Sequence, residues 1–137
     1  MTIQMSVALA NARANLYDTY ITSGTLCFKV FTGSLPANCA AADTGTMLGQ
    51  GPIDSGWLAN AANGIASFSF LGFVGTNANI TPGNIGYFRM YASDNTTCHL
   101  QGTATAYPGD GALTFLDGIY FNGWLVSINS FSFIESV

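Results

Sequence analysis

From Thr25 to Ile134 the chain is a succession of short alternating apolar runs, cut at intervals by clusters of Gly, Pro, Asn, Asp and Ser. Side chains of an extended strand leave opposite faces in turn, so this texture restricts the chain to a β-rich fold. TLCFKVFT (25–32) is the plainest case: Leu26, Phe28 and Val30 point one way, and Cys27, Lys29 and Phe31 the other. SLPANCAAADTG (34–45) is small, polar and proline-containing, which predicts an ordered loop. TMLGQGPI (46–53) reads as a short strand, DSGWLANAANG (54–64) as a loop anchored by Trp57, and IASFSFLGFVG (65–75) as one strand. TNANITPGN (76–84) is a turn-rich connection. NIGYFRMYA (84–92) and CHLQGTATA (98–106) are strands joined by SDNTT, a composition suited to a hairpin turn. PGDG (108–111) precedes a strand at ALTFL (112–116), a DG turn follows at 117–118, and WLVSINSFSFI (124–134) is the closing strand. Strands at this spacing predict an antiparallel β-sandwich of immunoglobulin-like or jelly-roll type, in a single domain spanning 1–137.

The N-terminal segment has the other periodicity. Leu9, Ala12, Leu16 and Tyr20 recur every three or four residues between Ser6 and Tyr20, which predicts one helix with a narrow apolar stripe. Ser6 is placed to cap it, and TSG (22–24) ends it. Asp18 sits at the end that the helix dipole disfavours for an acid, so packing must supply the stability. A narrow stripe suits an arm or a contact element at least as well as a lid over the core.

Charge decides what the surface is for. Asp, Glu, Lys and Arg make up 7% of the residues, against about 25% in an average soluble domain. Disorder does not explain this, because 49% of the residues are hydrophobic. A surface of Ser, Thr, Asn, Gly and small apolar groups has little charge repulsion to keep it solitary, and we expect it to pack against neighbouring subunits. The three basic residues, Arg13, Lys29 and Arg89, are scattered along a chain of net charge −4, so no direct nucleic-acid contact is expected. There is no basic amphipathic face for a membrane surface and no run of about 20 apolar residues to span one. MTIQMSVALANARANLY lacks a basic region before its apolar part, so we expect no Sec leader and synthesis in a cytoplasm that keeps the thiols reduced.

The candidate chemistry is thin. Cys98 and His99 are adjacent, so on a regular strand they leave opposite faces and cannot converge on one metal ion. Cys27 and Cys39 have no CxxC or HxxxH spacing to join them. A half-buried Cys98 and an exposed or hydrogen-bonded His99 is the simpler reading. Of the three cysteines at least one stays unpaired, and Cys39 in its loop is within conceivable reach of either Cys27 or Cys98. No GxSxG elbow accompanies His99 for nucleophilic catalysis. Asp43, Asp54, Asp94, Asp110 and Asp117 fall in turns, where aspartate serves its own backbone hydrogen bonds. NIT (79–81) and NTT (95–97) match the glycosylation pattern, and because no Sec leader is expected we read both matches as chance. Trp57, Tyr107, Tyr120 and Trp124 near loops could stack on sugars, or could anchor a subunit contact or the core. No catalytic residue, metal ligand, cofactor-binding residue or cofactor is predicted, and the chain is read as a non-enzyme.

Three segments resemble a family of small tailed-phage virion structural proteins of head decoration or cement type. They are IQMSVALANARANLYDTY (3–20), TGSLPANCAAADTGTML (32–48) and GYFRMYASDNTTCHLQGTA (86–104). The family's helix carries an ARLD-like element, here Ala12-Arg13-Ala14-Asn15, with Asn15 at the usually acidic position. Thr32–Leu48 follows the PANCAAA loop closely, and Gly86–Gly102 follows the FR…H-x-QG pattern with Asn95 where glycine is common. Phe68–Val74 and the C-terminal aromatics depart from the Ala- and Gly-rich version. The resemblance implies a capsid cement or decoration protein on the virion exterior, made in a host cytoplasm. Its expected partners are the major capsid protein and copies of itself as a dimer or trimer. The alternative is a tail or head-fibre component acting as a receptor- or glycan-binding module.

Overall fold

A computed structural model of the chain describes residues 4–21, 28–52, 59–67, 73–75, 85–106, 108–115, 125–126, 128–130 and 132–134. The protein is mainly β with one N-terminal helix, α1 (Val7–Ile21). The Ser6 hydroxyl accepts the Leu9 N–H at 3.2 Å, satisfying one of the amides that a helix start leaves open. The strands are β1 (Phe28–Phe31), β2 (Met47–Gly51), β3 (Ile65–Ser67), β4 (Phe73–Gly75), β5 (Tyr87–Tyr91), β6 (Cys98–Ala106), β7 (Leu113–Phe115), β8 (Leu125–Val126), β9 (Ile128–Ser130) and β10 (Ser132–Ile134).

Eight strands form one ladder in the order β8-β4-β2-β1-β5-β6-β7-β9, and β10 pairs with β3 separately. The end strands of that ladder, β8 and β9, are separated in the chain by a single residue. A span of that length covers at most about 7 Å, so the outer strands of the order are drawn toward each other and the sheet curls. The expectation of an all-antiparallel arrangement needs correcting at one place. β6 and β7 run parallel, with Ala104 opposite Leu113 and Ala106 opposite Phe115. The intervening PGDG turn doubles back tightly against Thr105, whose hydroxyl accepts the Gly111 N–H at 3.0 Å. A Cβ on Gly109 would lie 2.4 Å from that same hydroxyl, so glycine is what lets the chain restart beside β6 in the same direction.

Two runs read as single strands are divided. Residues 65–75 supply β3 to one pairing and β4 to the other, and residues 124–134 supply β8, β9 and β10 to three different partners. Curvature is the reason: a straight strand of that length cannot follow a curled sheet, whereas short pieces can pair with different partners.

The core lies along β1 and β5. Phe28, Val30, Tyr87, Phe88, Met90, Leu113 and Phe115 are buried, and Phe28 stacks on Phe88 at 5.9 Å. Every residue of β5 is buried, on both faces. One face packs into the curled sheet, and the other carries Tyr87, Arg89 and Tyr91, which the loop between β1 and β2 covers. Phe31 lies flat on Tyr87, with ring centroids 4.9 Å apart.

The helix docks by an unexpected face. Ala10 and Ala14 are fully buried, while Leu9 and Leu16 of the expected apolar stripe are each 54% exposed and Ala12 is exposed. Beside the two alanines, Asn11 Oδ1 accepts the Gly64 N–H at 2.7 Å and Asn15 Oδ1 accepts the Ala61 N–H at 2.8 Å. Small side chains allow the close approach, and the two amides satisfy backbone donors at the contact. An acid at position 15 would accept that hydrogen bond equally well.

Candidate functional site

Lys29 and Arg89, far apart in the sequence, are direct cross-strand partners on β1 and β5. The basic residues are therefore less scattered in the fold than along the chain. Like charges placed opposite each other repel, and the two side chains diverge to different acceptors. Lys29 Nζ lies 4.4 Å above the Tyr91 ring and donates to the Asn95 carbonyl at 3.1 Å. Arg89 turns beneath the 34–45 loop.

There the guanidinium is fully engaged. Its Nη1 donates to the Ala41 carbonyl at 2.9 Å and to Asp43 Oδ1 at 2.7 Å. Nη2 donates to the Asn38 carbonyl at 3.0 Å and to Gln101 Oε1 at 2.8 Å, and Nε donates to the same Gln101 oxygen at 3.0 Å. Gln101, opposite Arg89 on β6, donates onward to the Pro36 carbonyl at 2.7 Å. Tyr91 donates to Asp43 Oδ1 at 2.5 Å, and the Tyr87 hydroxyl donates to the Thr44 carbonyl at 2.6 Å while accepting its N–H at 2.8 Å. One buried fork thus holds a loop whose own backbone has little regular pairing.

The electrostatics follow from burial. Burial opposes the charge on Arg89, but hydrogen bonds to Tyr91 and Asp43 outweigh it and its pKa is raised. Burial raises the Tyr91 phenol far above its ordinary value, and the bond to Asp43 adds to this. Asp94 is the opposite case. In the hairpin turn its carboxylate accepts from the Thr97 hydroxyl at 2.5 Å and from the Thr97 and Thr96 amides at 2.8 and 2.9 Å, which holds its pKa well below the usual carboxylate range. Asn95 follows at φ +58°, a left-handed conformation open to Asn or Gly.

The loop and this turn enclose an open cleft of about 370 Å³, with Cys39, Asp43, Arg89, Tyr91 and Asn95 among its lining residues. Asn95 Oδ1 is buried there without a protein hydrogen bond. The cleft offers acceptors and one thiol. Of the aspartates weighed from the sequence, Asp43 belongs to the latch, Asp94 to the turn, and Asp110 lies exposed at 108–111. His99 is the extra residue of a β-bulge: Met90 faces Leu100, the next pair is Tyr91 with Cys98, and His99 is exposed. The same bulge turns Cys98 toward the loop. Cys27, Asp54, Trp57, residues 79–81, Tyr107, Asp117, Tyr120 and Trp124 lie outside the described residues. Among the described residues no three His, Cys, Asp or Glu side chains gather as a metal site would require, and no helix is long and apolar enough to cross a membrane.

No protein-family model, curated protein or solved structure matches the chain. The latch is what sequence reasoning missed. A lone arginine within an alternating strand (YFRMY) is its signal, since an arginine on a covered face needs several acceptors and a loop rich in free carbonyls supplies them.

Proposed function

We propose that this chain is a non-enzymatic structural protein of a phage virion, a capsid cement or decoration protein that binds neighbouring major capsid subunits. The observation that carries the reading is that two of the three segments behind the resemblance are one structural unit. Asn38, Ala41 and Asp43 of Thr32–Leu48 are bonded to Arg89 of Gly86–Gly102, and Pro36 to Gln101. Both segments therefore contribute to one latch, which supports the reading of a structural module. The outward Leu9 and Leu16, on a chain with 7% charged residues, add an apolar contact surface suited to a lasting interface. In this reading the curled sheet is a flattened, sandwich-like body, with the β3–β10 pair and α1 as its second layer, and the chain assembles as a dimer or trimer on the shell exterior.

Cryo-electron microscopy of purified virions at side-chain resolution tests it. Density for the chain over capsid seams, in copies that scale with the shell lattice, is the expected result. Density confined to the tail tip or to head fibres overturns the reading in favour of a receptor- or glycan-binding module.

A further inference from the structure

We propose that Cys39 and Cys98 form a redox-responsive staple, closing to a disulfide that ties the 34–45 loop to the β5–β6 hairpin. The inference stands independently of the virion reading. Its geometry comes from the latch. Arg89 holds the carbonyls of Asn38 and Ala41, so Cys39 is bracketed by two anchored residues. Tyr91, two residues along β5 from Arg89 on the same face, pairs with Cys98 across the bulge and bonds to Asp43 of the same loop. The two thiols consequently lie close enough to influence each other, and neither is in a disulfide.

The two sulfurs differ in access. Cys39 lines the open cleft, whereas Cys98 donates inward to the Leu100 carbonyl at 3.3 Å. Burial, together with the influence of Cys39, pushes the Cys98 thiol up to about 12, while Arg89 opposes this. The order of steps follows. With a disulfide oxidant such as oxidised glutathione, the Cys39 thiolate attacks one sulfur of the oxidant. A mixed disulfide forms, the oxidant's S–S bond breaks, and one reduced glutathione leaves with the proton taken from Cys39. Capping Cys39 removes its contribution to the raised Cys98 value and leaves Arg89 nearby. Cys98 then attacks the Cys39 sulfur, releasing the second glutathione and its proton to solvent. Two protein thiols are oxidised and one glutathione disulfide is reduced.

The test is to equilibrate the folded full-length chain with oxidised glutathione, block the remaining thiols with an alkylating reagent, and read the mass and the linked peptides after proteolysis. The expected result is a loss of two hydrogens, one alkylated thiol at Cys27, and a Cys39–Cys98 peptide. The oxidised chain should melt higher by roughly 10 °C, because the cross-link closes a long loop. C98S should stop at a stable glutathione adduct on Cys39, and C27S should still close. Three alkylated thiols after equilibration, or a linked peptide containing Cys27, would overturn the proposal.

Discussion

Arg89 and Asp43 form an unequal ion pair: their charged atoms are 2.7 Å apart, but the arginine side chain is 2% exposed and the aspartate 42%. Water can replace one partner and not the other. Removing Arg89 strands two loop carbonyls and Gln101, whereas removing Asp43 leaves the guanidinium with three other acceptors. We therefore expect R89M to cost about 3–5 kcal/mol and D43A about 1–2 kcal/mol in urea unfolding. Equal losses would mean that the carboxylate, and not the fork, organises the loop. R89K should resemble R89M, because an ammonium cannot span the same acceptors.

Gly86 stands at the start of β5 where two backbones nearly touch. A Cβ there would lie 1.9 Å from the Gly33 carbonyl oxygen, while the Gly86 N–H donates to Phe31 O and its own carbonyl accepts from Ala104. No side chain can move aside to relieve that contact. G86A should cost about 3 kcal/mol or more in the same measurement, and a change near zero would contradict the close approach.

Tyr91 should stay protonated well beyond the ordinary tyrosine range. Its folded value lies far above the ordinary 10.0, so the fold favours the protonated phenol. The unfolded chain gives up that proton near pH 10 and the folded chain does not. Stability from this group is thus complete below pH 10 and declines as pH rises beyond it. Phenolate absorbance of the folded protein should lack one tyrosine's worth of change just above pH 10, and Y91F should both remove the deficit and flatten the alkaline loss of stability.

Asp94 reports at the other end of the scale. Its folded value is depressed from 3.8, so the unfolded chain takes up a proton first as pH falls. Stability from this carboxylate is present above about pH 4 and is lost as acid approaches the folded value. D94N, which keeps an oxygen acceptor for the Thr96 and Thr97 amides, should give a flatter acid limb in pH-dependent unfolding. An unchanged slope would place the acid sensitivity elsewhere.

The two sides of α1 should answer oppositely to substitution. Leu9 and Leu16 are exposed and Ala14 is sealed against the body. L9N with L16N should change the isolated chain's stability by no more than about 0.5 kcal/mol, while A14L should cost about 1–3 kcal/mol by overpacking. Under the proposed function the leucine pair is the variant that loses binding, read as co-sedimentation with capsids lacking the protein. A large stability loss from that pair would show that the stripe is core.

Local chemistry made part of this molecule legible. The Ser6 cap, the 15-residue helix, β1, β2, β5 and β6, and the SDNTT hairpin all rest on contacts within a few residues, and period and turn composition report those directly. Long-range decisions were not legible. Nothing in IASFSFLGFVG or WLVSINSFSFI says that each will change partner partway, because alternation is the same whichever strand lies alongside. Nor could the helix period tell that Ala10 and Ala14 would pack while Leu9 and Leu16 faced outward, since that choice depends on the Gly64 and Ala61 amides brought to the helix from elsewhere. The meeting of Lys29 with Arg89, and of Cys39 with Cys98, belongs to register, a bulge and a loop held by one guanidinium. By itself the sequence determined that the chain is β-rich, nearly uncharged and headed by a capped helix. The tertiary structure alone decided which faces are buried and which distant residues touch, because burial and hydrogen-bond satisfaction are settled among segments far apart in the chain.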